Sequence, residues 1–202
     1  MSKNFPPNRH PKGTPEGGRF APKHRPEAQN TELTEDRLPG EFAKSGSKEP
    51  QLIRHKNPDG SVGGFVSSTA FVSETAWIGY TACVLDQAQV LDRARVLDQA
   101  QVWDNAVVMD FAVVRGNAEV HDFAAVLDHA EVRDFAMVSD EAIVRDRCVV
   151  RDTGKVVDHG TLNGAAQVRG HALVSGEAVV DGNVVLDRDM VLAGAETAGW
   201  AD

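Results

Sequence analysis

The chain has 202 residues, a formal net charge of -9 and an apolar share of 42%, with one Tyr, three Trp and eight Phe. That is room for one domain plus a tail, and the scarcity of aromatics excludes a bulky globular interior in favour of a narrow one built from Ala and Val. No apolar run is long enough to cross a membrane, the start lacks the apolar stretch of a signal peptide, and Cys83 and Cys148 are too few for a disulfide scaffold; a soluble, cytoplasmic protein is expected.

Residues 1–49 are rich in Pro, Gly, Lys and Glu and hold hardly any apolar periodicity, so they cannot repay the entropy of ordering. They read as a disordered basic tail. Residues 1–60 carry eleven basic against eight acidic groups and residues 61–202 ten against twenty-two, so a basic arm precedes an acidic body. Such a body repels nucleic acid and anionic membrane, leaving any phosphate contact to the arm. Within the tail, "NRHPKGTPEGGRFAPK" resembles a short N-terminal element of phage-borne and actinobacterial proteins.

From residue 50 to 65 the character changes, with apolar and polar residues alternating on either side of Asn57-Pro58-Asp59-Gly60. Pro presets the second place of a turn and Gly tolerates the left-handed place that closes it, so a hairpin is expected, covering the first open edge of the repeat beyond it. From Val66 to Leu192 every sixth residue is aliphatic, at twenty-two sites without insertion or deletion, and two places before each stands a small residue, usually Ala. The word is small-x-aliphatic-x-(Asp/Gly)-x. Residues two apart in a strand share a face, so the small and the aliphatic residue look inward together, while a period of six drifts around a helix and buries nothing consistently. The Asp or Gly two places after the aliphatic residue suits left-handed backbone. Each word is one short strand and one corner, and the words stack into a parallel β-solenoid over residues 66–194, followed by a C-terminal tail, 195–202.

Two coil sizes compete. The column Arg115, Arg133, Arg151 and Arg169 favours eighteen residues per coil; the likeness of "DFAVVRGNAEVH", "DFAAVLDHAEVR" and "DFAMVSDEAIVR", which aligns Phe111, Phe123 and Phe135, favours twelve. The pattern of an aliphatic residue followed four places later by a small one, as in Val84 and Ala88, is similar to the hexapeptide repeat of left-handed β-helix proteins, and "GNAEV", "GHALV" and "GEAVV" look like the YdcK-like β-solenoid group. The resemblance implies a left-handed triangular tube with three strands per coil, about seven coils and roughly 35 Å of length. One departure is that Gly directly after the aliphatic residue, common in hexapeptide enzymes, occurs only at Gly79.

The resemblance also raises a trimeric acyltransferase with a His general base, for which His121, His129, His159 and His171 are the candidates. A base needs a cleft, and the unbroken register leaves no loop to build one, so these read as corner histidines. In an eighteen-residue coil none of the four stacks on another, which argues against zinc, and no metal or cofactor is expected. The Asp series reads as corner chemistry, because stacked carboxylates about 5 Å apart repel by only ~0.8 kcal/mol in water. Mutual neutralisation with Asp134 and Asp152 is expected for the Arg column. Trp103, Phe111, Phe123 and Phe135 stand at outward places and imply a covering partner, so these aromatics and the four arginines are the candidate interaction residues. Three functions are expected, in order: a structural or interaction solenoid that self-associates or docks a protein partner, in a phage or mobile-element setting; an acyltransferase; and an acidic mimic of nucleic acid.

Overall fold

In the computed structural model, which describes residues 51–199, each word forms a two-residue strand and a turn. The tail read over residues 1–49 lies outside the described residues. Twenty-four strands and no helix occur among the described residues. After the hairpin strands β1 (Leu52–Lys56) and β2 (Val62–Ser67) come β3 (Phe71–Val72) and β4 (Trp77–Ile78), and so on by sixes to β22 (Val185–Leu186), β23 (Val191–Leu192) and β24 (Thr197–Ala198). Every strand from β2 onward pairs in parallel with the strand three words away: Val72 lies beside Val90, and Val90 beside Val108. The coil therefore has eighteen residues. The twelve-residue likeness is a property of the sequence and not of the coil. The ladder also runs past residue 194, since Thr197–Ala198 pairs with Val179–Val180.

Three sheets result, of nine, eight and seven strands, which begin at β1 and β2, at β3 and at β4. They are the first, second and third faces of a solenoid of about seven coils. The turn leading from the first face to the second is the first edge, and the next two come in chain order. In a three-sided prism each edge lies across the core from one face, so the first edge is opposite the third face.

The interior is filled as the period requires. From Ala76 to Val180 the inward Ala and aliphatic residues are almost all fully buried, and Ile78 and Leu162 are the largest side chains there. Three strands converge on one axis, so there is room for one Ala and one Val per strand and little else. Burying each Val contributes about 1.5–3 kcal/mol, and only stacking supplies that burial.

The edges depend on aspartate in two ways. Twelve aspartates, from Asp86 to Asp158, have φ between 53° and 64°. Left-handed backbone costs most L-residues about 1–2 kcal/mol, and Asp is among the few that adopt it routinely. The second role is a hydrogen bond along the rod. The N–H of a left-handed residue has no carbonyl in reach, and the carboxylate one coil earlier accepts it. On the first edge Asp104 accepts from Asp122, Asp122 from Asp140 at 3.4 Å, Asp140 from Asp158 at 3.2 Å and Asp158 from Gly176 at 2.9 Å. Where the column has become Gly, the preceding residue takes over, as Asp181 does for Gly182 at 2.7 Å.

The hairpin closes the first coil. β1 runs antiparallel to β2 and extends the first face by one strand. On the third face its side chains stand in for a missing strand: Asn57 Oδ1 accepts the Ile78 N–H at 2.9 Å, and His55 Nε2 meets the Ala76 carbonyl at 3.4 Å. Arg54 lies over the Phe65 and Tyr80 rings, 3.6 and 4.1 Å from their centroids, and donates to the Tyr80 carbonyl. Gly64 makes the close approach possible, because a Cβ there would meet the Ala82 carbonyl oxygen at 2.2 Å.

Both cysteines are free, so no disulfide crosses the coils. Cys83 occupies an outward place but is only 4% exposed, next to Phe65 in the ladder, and burial pushes its thiol pKa up, an effect that the nearby Arg54 charge offsets only in part.

Candidate functional site

The eighteen-residue coil distributes the candidate residues among faces and edges. Phe111 falls on the second edge, Phe123 on the first and Phe135 on the third, and they are 49%, 65% and 66% exposed. One flat partner cannot touch all three. Trp103 behaves differently from the phenylalanines: it is half-buried on the first face, its ring stacked on His121 at 4.5 Å and 3° from parallel. Phe111 is stacked on His129 at 5.0 Å, with the Arg93 guanidinium 5.9 Å away.

The four histidines occupy four different columns. His121 Nδ1 and Asp122 Oδ2 are 2.8 Å apart, and His159 pairs with Glu141 at 3.0 Å. His129 and His171 are exposed on the second and third edges. Among the described residues, one grouping of three potential metal ligands occurs, Asp104, His121 and Asp122. Each member already has a structural partner: Asp104 accepts the Asp122 N–H, Asp122 accepts the Asp140 N–H, and His121 is held by Asp122 and Trp103. The concavities are shallow; one of about 340 Å³ is lined by Pro58, Thr75, Trp77, Arg93 and Arg95.

Charge, by contrast, is sorted by face. Arg115, Arg133, Arg151 and Arg169 form one column on the third face, and Arg95 stands in the neighbouring outward column. Five cations share that face with two carboxylates, Glu131 and Asp187. Glu131 lies 2.6 Å from Arg115 and 3.6 Å from Arg133, Asp134 lies 3.8 Å from Arg133, and Asp187 pairs with Arg169 at 3.0 Å. Neutralisation is therefore partial and mostly by Glu131, not by Asp152 as expected. Among the described residues, Arg95 and Arg151 have no carboxylate within ion-pair distance. The first edge is the converse: Asp86, Asp104, Asp122, Asp140 and Asp158 succeed one another without a gap, Glu141 and Glu177 stand in the next column, and neither column contains Lys or Arg. Sequence reasoning found the arginine column from its period. It missed the basic face and its acidic counterpart because opposition across a prism exists only once the coil has three sides.

No family model matches this chain, and no curated protein or solved structure matches it either.

Proposed function

We propose that this protein is an interaction module, a rigid solenoid whose flat faces and charged edges dock other protein surfaces. The observation that carries the reading is the unbroken register: from Val66 to Leu192 every word spends its residues on core, strand and turn, and none on a loop that could enclose a substrate. Exposed Phe111, Phe123 and Phe135 add apolar anchors to a polar surface. The resemblance to left-handed hexapeptide-repeat proteins, and more narrowly to the YdcK-like group, supports a scaffold of this kind. The same resemblance supports an acyltransferase, whose most favourable histidine here is His121, oriented by Asp122.

Two measurements separate the readings. Sedimentation velocity over a wide concentration range reports association, and calorimetric titration with acetyl-CoA reports an acyl-donor site. Association without acetyl-CoA binding is the expected result. Saturable acetyl-CoA binding that disappears in His121→Ala, in a discrete trimer, would overturn the interaction reading in favour of the enzyme.

A further inference from the structure

The interaction reading leaves the docking surface and its partner unnamed, and the distribution of charge names both. We propose that the rod packs side by side with a second copy of itself, the first edge of one copy lying along the third face of the next. The proposal rests on the interaction reading and specifies it.

Three observations carry it. The first is position: five aspartates in unbroken succession occupy the edge that lies across the core from the face with five arginines. A chain so polarised presents both partners of a contact on opposite sides, and the contact is heterologous. The second is period. Asp86, Asp104, Asp122, Asp140 and Asp158 recur once per coil, and so do Arg115, Arg133, Arg151 and Arg169. When two rods align their axes, the two arrays share one repeat, so no mismatch accumulates and an offset that satisfies one pair satisfies the rest. An unrelated polyanion lacks that repeat.

The third is the state of the groups themselves. The carboxylates of Asp104, Asp122, Asp140 and Asp158 use Oδ2 to accept the N–H of the next coil, which fixes their direction and leaves Oδ1 for a guanidinium. Opposite them, Arg95 and Arg151 have no carboxylate partner among the described residues. Phe123 stands exposed on the same edge, and the third face offers half-buried Val113 and Val149 between its arginines as an apolar landing. The alternatives are disfavoured by sign, because edge against edge brings aspartates together and face against face brings arginines together.

The test is sedimentation velocity of the full chain at several concentrations, in about 50 mM and about 500 mM NaCl, a range over which exposed charges become strongly screened. The expected result is an open association series that weakens at least tenfold in the higher salt. Arg133→Glu/Arg151→Glu, with folding verified by circular dichroism, is expected to stay monomeric. Its first edge remains intact, so mixing it in excess with the unaltered chain should cap growth and convert long assemblies to short ones, which a variant that merely failed to fold would not do. A second variant, Glu141→Lys/Glu177→Lys, reverses charge on the edge without touching the aspartate ladder and should weaken association likewise. A chain monomeric under every condition overturns the proposal. So does association that survives both variants and the higher salt, although that outcome leaves the interaction reading standing on another surface; only acetyl-CoA binding counts against that reading.

Discussion

At the level of single residues, aspartate carries more of this fold than its exposure suggests. Asp128 has φ near 57° and its Oδ2 accepts the Asp146 N–H at 3.2 Å. Two contributions can be separated by substitution. Asp128→Asn keeps an acceptor and a residue that tolerates the conformation, so its stability should stay within about 0.5 kcal/mol; Asp128→Gly keeps the conformation but loses the acceptor; Asp128→Ala loses both and should cost about 1–2 kcal/mol or more. Urea denaturation of the three variants checks the order Asn, Gly, Ala. The left-handed role was legible in the sequence, because Asp or Gly stands at one place of nearly every word. The hydrogen bond was not, because it links residues eighteen apart and depends on knowing the coil. Cys148, which replaces an inward Ala, gives a second residue-level test. Burial pushes its thiol up from 9.0 to about 11, only partly offset by a backbone hydrogen bond. The unfolded chain therefore sheds this proton first: the thiol has no effect on stability below about pH 9 and lowers it between about pH 9 and 11. A Cys148→Ala variant should lose that part of the alkaline decline in urea midpoint. In the folded chain near pH 8 the thiol should not react with a disulfide reagent.

Among the elements, the hairpin does something the repeat cannot do for itself. The first strand of a stack leaves backbone groups without a neighbour, and Asn57 and His55 supply an acceptor and a partner to the β4 region. Removing the Asn57 carbonyl strands the Ile78 N–H, at a cost of about 1–3 kcal/mol, so Asn57→Ala should raise hydrogen exchange at Trp77–Gly79 while leaving the middle coils protected. His55 adds a pH dependence of known sign. Burial lowers its pKa below 6.5, against a smaller raising effect from the Ala76 carbonyl, so the unfolded chain takes up the proton first and the cap loosens as pH falls below about 6.5. A pH series of thermal melts, with His55→Gln as the variant that should flatten it below pH 6.5, measures this. The hairpin was readable from Asn57-Pro58-Asp59-Gly60. Its clamp was not, since Arg54 meets Tyr80 across twenty-six positions with no periodic signal to announce it. The phenylalanines failed for a related reason: a twelve-residue spacing looks like a stripe in the sequence and lands on three different edges of an eighteen-residue coil.

For the whole molecule, a six-residue word and an eighteen-residue coil make separate demands, and deletions can tell them apart. Any deletion of whole words leaves small and aliphatic residues facing inward, and in a stack where each coil touches only its neighbours, stability should fall roughly in proportion to the words removed. Charge placement obeys the longer period. Removing residues 121–138, one full coil, leaves Arg95, Arg115, Arg151 and Arg169 on one face and Asp86, Asp104, Asp140 and Asp158 on the opposite edge. Removing residues 121–132, two words, shifts everything after the junction by one face, so that Arg133, Arg151 and Arg169 land on the first face, beside the acidic edge. The shorter deletion sacrifices less core and should melt at the higher temperature. It should nevertheless be the one that loses salt-sensitive self-association, while the full-coil deletion keeps it with fewer charge pairs. Thermal melts and sedimentation velocity on the two chains measure both quantities. If association instead tracked stability, the face-and-edge arrangement would have no part in it.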